Sequence, residues 1–230
     1  MAWVLAAAAT LFFLRFGYEF GAGDQDEMFS LLLRQLDGSL FSRDWYVVDQ
    51  ASQFTVRTPF LWLMQGVMWI LPLGAATLVV YLVGWIGVAR GLYRLAEALG
   101  ASALAASAAT VLILVFIPTW TLGGNSLAPN LLAPEMLGWA LALPAVRLTI
   151  EKRLLWAGLL LALAAYLHLL VGALVTGALG LAMVFGALGG THRERWQHAL
   201  TLGGTVLLLA LPMIVAIARY RSTGAPLPDD

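Results

Sequence analysis

Residues 154–189 run for 36 positions without a single Asp, Glu, Lys or Arg. As one helix this run would reach about 54 Å at 1.5 Å per residue, well beyond the ~30 Å of a hydrocarbon layer. Two crossings joined around Tyr166-Leu167-His168 fit it better. Five further apolar stretches, 3–20, 73–89, 101–122, 131–150 and 199–218, are each long enough to be read as a span. The expected fold is therefore all-α: a polytopic transmembrane helical bundle of about seven spans. The apolar stretch 59–88 is also too long for one straight crossing. Pro72 divides it, so its first half is expected along the interface and 73–89 across the bilayer. Pro118 is expected to kink the third span near its end.

Charge is correspondingly scarce. Charged residues are 11% of the chain, against about 25% in a soluble domain, and mean hydropathy is +0.85. The net charge is zero and no basic run occurs, which argues against a nucleic-acid partner. The absence of cysteine excludes thiolate catalysis, disulfides and Cys-ligated metals. Among the basic residues only Lys152 is a lysine, and with the wealth of Ala, Leu and Gly this composition points to a bacterial inner membrane. No Lys or Arg precedes the first apolar run, so it reads as an uncleaved span rather than a signal peptide. Residues 1–230 are expected to form a single transmembrane domain with an outer loop at 18–58. The polar, turn-rich end at 224–230 suggests the N-terminal part of a longer protein.

Orientation follows from the arginines. With a cytoplasmic N-terminus and seven spans, the inner loops carry Arg90, Arg94, Arg147, Lys152, Arg153, Arg193 and Arg195, against three acids, Glu97, Glu151 and Glu194. That bias obeys the positive-inside rule. A single long span through His168 would place Arg193 and Arg195 outside, which supports the hairpin.

The densest polar feature is Gly21-Ala22-Gly23-Asp24-Gln25-Asp26-Glu27, at the exit of the first span. Asp24, three residues ahead of Glu27, fits a capping box, and acids in a first turn favour the helix dipole. One cap needs one acid, however, and three gather here. At a water–lipid boundary such carboxylates suit a general base toward a hydroxyl, or a divalent cation; no other cofactor is implied. The following segment, 26–40, is amphipathic at 100° per residue. Met28, Phe29, Leu32, Leu33, Leu36 and Leu40 share an arc with Leu31 at its edge, so an interfacial helix is expected, ended by Asp37-Gly38. Trp45 and Tyr46 suit an aromatic belt, and Thr58-Pro59 a helix start.

Other candidates are weaker. Asp44, between Arg43 and Trp45, fits either an ion pair with arginine or the wall of a pocket shared with the acids. Arg43 and Arg57 are loop cations whose guanidinium shape suits phosphate. Glu135, beside Pro134, fits a helix start or a carboxylate facing the first loop. His168 stands alone on an apolar stretch, where a packed histidine and a phosphate contact are both open readings. No zinc spacing, phosphate loop, dinucleotide fingerprint or serine elbow is present. Small residues at four-residue spacing, Ala101, Ala105 and Ala109, then Gly172, Thr176 and Gly180, suggest close helix packing.

The order of a first span, an acid-opened outer loop, an interfacial helix, a second interfacial segment and re-crossing helices resembles the GT-C superfamily of membrane glycosyltransferases. Within it the chain looks most like poorly characterised bacterial polytopic members whose first loop reads Gly21-x-Gly23-Asp24-Gln25 and then Leu36-Asp37-x-Ser39-Leu40-Phe41-Ser42-x-Asp44-Trp45. The similarity covers residues 15–99, with looser agreement at Gly123-Gly124-Asn125 and Tyr166-Leu167-His168. The resemblance implies transfer of a sugar from a polyprenyl-phosphate carrier to an acceptor on the outer face, with Asp24 or Asp26 as base. A polytopic transporter and a non-catalytic membrane subunit are the rival classes. A transporter usually carries ionisable groups inside its spans, and here every Asp and Glu falls in a loop or at a helix end.

Overall fold

The computed structural model describes residues 2–116 and 127–223, and these fold into helices joined by short turns. In order they are α1 (Ala2–Phe16), α2 (Asp24–Leu36), α3 (Trp45–Ser52), α4 (Thr58–Met68), α5 (Leu73–Ala98), α6 (Ala103–Phe116), α7 (Pro134–Ile150), α8 (Leu154–Leu167), α9 (Leu169–Val184) and α10 (His192–Thr223). The only extended pairing among the described residues is a single parallel bridge between Glu19 and Leu131. The all-α expectation holds. By length and apolarity, α5 and the His192–Arg219 part of α10 are able to cross a membrane. Four more helices are apolar but shorter, over Trp3–Phe16, Ala103–Phe116, Leu154–Leu167 and Leu169–Val184.

The chain breaks where local chemistry demands it. Pro72 supplies the extended residue before α5, and α4 ends at Met68 rather than continuing into it. The 36-residue apolar run is cut at His168, whose φ of −151° and ψ of 101° take the chain out of α8 and into α9. The two helices fold back on each other. Gly172 makes this possible, since a Cβ there would lie 2.5 Å from the backbone nitrogen of Ala165. The expected third span is helical through Phe116; its remainder, with Pro118, and most of the hairpin at 123–130 lie outside the described residues.

α5 and α7 run parallel in intimate contact. Gly84 faces Met136 and Leu137, Gly87 faces Ala140, and Gly91 faces Leu143, with Cβ positions at 2.8, 2.8 and 2.7 Å from those side chains. This glycine seam, at three- and four-residue spacing, is the principal small-residue interface. It is not among the sets expected from sequence: of those, Gly172 packs tightly while Gly180 faces open space. Buried side chains form two groups. One gathers Phe12, Leu31, Leu32, Phe60, Met64, Tyr81, Trp85 and Met136 from α1, α2, α4, α5 and α7. The other joins Ala142, Ala145, Leu161, Val171, Met183 and Leu202 from α7 to α10.

The first loop departs from expectation in one respect. α2 stops at Leu36 and its inward arc centres on Met28, Leu31 and Leu32. These pack with Val47 of α3 and Phe60, Leu61 and Met64 of α4 in the protein core. Leu36 and Leu40, at the far end of the predicted stripe, are 48% and 40% exposed. The apolar face of α2 is thus mostly covered by protein, because α3 and α4 fold back over it. Beyond α2, Asp37 accepts from both the amide and hydroxyl of Ser39, and Arg34 donates to the carbonyls of Gly38 and Leu40. Those bonds close the chain into the turn that leads to α3.

Candidate functional site

Two chain segments distant in sequence are tied together where α2 and α7 begin. The Glu19 amide donates to the Asn130 carbonyl at 2.8 Å, and the Asn130 side chain donates to the Phe16 carbonyl at 3.3 Å. Gly23, at φ +55°, starts α2 with no side-chain cap. A Cβ there would meet Leu131 at an ordinary 3.7 Å, so the positive φ rather than crowding favours glycine. On the other side, Gly138 lets the α8–α9 turn approach α7, where a Cβ would sit 3.3 Å from the Cβ atoms of His168 and Val171.

These contacts enclose a cavity of about 330 Å³, within the range of small-molecule sites. Asp24, Arg57, Glu135 and His168 bring polar groups to it, and Met28, Val56, Leu167, Leu169 and Leu170 line the apolar part. Four residues selected from sequence thus meet in one place. They come from the start of α2, the turn before α4, the first turn of α7 and the joint between α8 and α9. Glu135 is buried, at 9% exposure.

The other candidates fall elsewhere. Glu27 does not cap α2; it pairs with Arg57 at 2.8 Å and accepts from the Tyr46 hydroxyl. Arg57 in turn donates to Tyr46 Oη at 3.2 Å. Arg57 therefore reaches the cavity with its guanidinium already held by two partners. The hydrogen bond to Glu27 is the main reason the Tyr46 phenol titrates above its ordinary value. Asp26 is exposed and does not line the cavity, its carbonyl accepting from Ser30. Asp44 is the N-cap of α3, accepting from the Val47 amide at 3.1 Å. With Arg43 it lines a separate, shallow hollow of about 670 Å³ over residues 41–45.

His168 caps α9: its Nδ1 accepts from the Val171 amide at 3.4 Å. In the neutral ring the proton then resides on Nε2. Burial lowers the His168 pKa below its ordinary value, and the negative charge of Asp24 opposes that shift. A neutral donor, a guanidinium and two carboxylates in a partly apolar cavity can bind hydroxyl groups, meet an anion and accept a proton. Among the described residues no three carboxylate or imidazole groups gather closely enough to hold a metal ion.

Sequence reasoning gave no role of its own to Gln25, which is 1% exposed, and read Tyr46 only as part of an aromatic belt, whereas it joins Glu27 and Arg57. The signal for Gln25 was present as an uncharged residue between two acids in the glycine-rich motif. Comparison with family models, with curated proteins and with solved structures finds no match to this chain.

Proposed function

We propose that this chain is a polytopic protein of the bacterial inner membrane with about seven crossings and a cytoplasmic N-terminus. In this reading it is a GT-C-like glycosyltransferase acting on a polyprenyl-phosphate-linked sugar at the outer face. The observation that carries the reading is the meeting of Asp24, Arg57, Glu135 and His168 in one cavity, beside Val56 and Leu170. Such a site has polar groups for a sugar phosphate and an apolar side for the lipid that bears it.

Its position supports the same reading. α7 starts at the cavity and ends at Ile150, beside Lys152 and Arg153. α8 returns to the cavity, and α9 leads away again toward Arg193 and Arg195. Lys152 acts electrostatically on Glu194, so the two basic turns are neighbours. The end opposite the cavity carries Lys152, Arg153, Arg193 and Arg195, the bias the positive-inside rule associates with the cytoplasmic side. Over their described residues, α1, α6, α8 and α9 are apolar but shorter than a full crossing, which a locally thinned bilayer accommodates. Trp69 and Ile70, 87% and 85% exposed just ahead of α5, fit the membrane boundary.

The chemistry follows from the donor set. The acceptor oxygen attacks the anomeric carbon while Asp24 takes its proton. The bond from that carbon to the lipid phosphate breaks, and the phosphate leaves with the electron pair. Arg57, held by Glu27 and Tyr46, meets the departing charge. His168 offers Nε2–H to the same region, and Glu135 borders it.

A membrane preparation supplied with labelled polyprenyl-phosphate sugars tests this directly. Asp24→Asn is expected to lower transfer by about 10²–10⁴-fold, while Asp26→Asn, outside the cavity, retains it. Both variants should insert normally. Equal activity of Asp24→Asn and wild type rejects Asp24 as the base. No transfer by wild type with any carrier-linked sugar favours the non-catalytic subunit.

A further inference from the structure

We propose that Gln25 is a positioning residue, a latch that fixes Asp24 at the cavity by joining the start of α2 to the segment ahead of α7. The consequence for catalysis rests on the transferase reading; the geometry does not.

Both ends of the Gln25 amide are used. Its Oε1 accepts from the Gly21 amide at 2.7 Å, and its Nε2 donates to the Leu132 carbonyl at 3.1 Å. The side chain is 1% exposed, so neither bond has water as a substitute. The need for a latch is visible in the backbone around it. Gly21 and Gly23 sit at φ +69° and +55°, and a Cβ at Gly21 would meet nothing within 4 Å. A turn with two such glycines has little stiffness of its own. Upstream it is held by the bridge from Glu19 to Asn130, and downstream by Gln25. Asp24 lies between these ties, and Leu132 lies three residues before Glu135. Gln25 thus sets the placement of one cavity carboxylate relative to the other. A carboxylate at position 25 lacks the donor that Leu132 requires, and an alkyl chain lacks both groups.

The groups around His168 make this placement measurable. Asp24 comes from α2, Glu135 from α7 and Arg57 from the turn before α4. Asp24 acts on the His168 imidazole electrostatically. The experiment is an NMR titration of His168 in the full chain in detergent micelles, with His192 and His198 as internal references.

Asp24→Asn removes the negative charge, so the His168 pKa falls. Gln25→Met keeps the side-chain length without either hydrogen bond. It is expected to reproduce at least half of that fall, because Asp24 is still charged but no longer held. Gln25→Asn, one methylene too short to reach both partners, should give a smaller fall. The double variant Asp24→Asn/Gln25→Met should lie no lower than Asp24→Asn alone. An unmoved His168 in Gln25→Met, or the same fall with and without Asp24, overturns the latch. Should Gln25→Met yield no folded protein, an unmoved His168 in Gln25→Asn overturns it equally.

Sugar transfer measured on the same samples separates the two proposals. The expected titration pattern without transfer by wild type leaves the latch standing and removes the transferase. Transfer by wild type with an unmoved His168 in Gln25→Met does the reverse.

Discussion

His168 combines two duties that pull on its protonation in the same direction. Its Nδ1 must stay unprotonated to accept from Val171, and burial disfavours the charged ring. Its folded-state pKa therefore lies below the unfolded value of about 6.5. Below that value the unfolded chain takes up the proton more readily, so stability is present above it and is lost as pH falls from there through the folded pKa. Thermal unfolding in detergent, followed from pH 7.5 to 5, should show this loss in wild type. His168→Gln removes this contribution, and its midpoint should fall less steeply over the same range. An equal slope in both would mean that His168 does not titrate differently on folding. Other residues near the cavity show how chemistry and structure share a motif. Glu27, one of three clustered acids, serves Arg57 and Tyr46, and Asp44 serves the backbone of α3. Which acid faces a cavity is not written in the spacing, because a helix start can direct Asp24 and Asp26 to different sides.

At the scale of elements, the pairing of α5 with α7 sets where the first turn of α7 stands, and so where Glu135 stands. The seam depends on Gly84, Gly87 and Gly91. At Gly87 the obstacle is the Cβ and Cα of Ala140, at 2.8 and 3.6 Å, which have no flexible end to move aside. Gly87→Val is expected to destabilise by about 1–3 kcal/mol, the usual cost of overpacking a close contact. The measurement is the thermal midpoint of the purified chain, compared with Gly177→Val on the open face of α9, which should change little. Helix limits were largely legible in advance: Pro72, the break at His168 and the start near Thr58 all follow from local backbone rules. The end of α2 was legible from Asp37-Gly38, although not from the apolar stripe. The apolar stripe runs on to Leu40, but Asp37 and the carbonyl contacts of Arg34 terminate the helix at Leu36. Local side-chain bonds there outweigh the periodicity of the pattern.

For the whole molecule, the critical quantity is the side of the membrane on which the cavity opens. The chain has no cysteine, so single cysteines can be introduced without competing labels. Ser39, in the exposed turn after α2, should react with an impermeant maleimide on intact cells once replaced by Cys. Thr191→Cys, ahead of α10, should react only after permeabilisation. The opposite pattern removes the outward-facing transferase reading, whatever the number of crossings. The helical class and the division of the long apolar run were available from residue types alone, since they rest on hydropathy and on local backbone preference. The company that Asp24, Arg57, Glu135 and His168 keep was not. These residues are separated by tens of positions, and only the packing of α7 on α5 and α8 on α9 brings them to one cavity. Local patterns report which face of an element is apolar; they carry no information on which distant element will cover it.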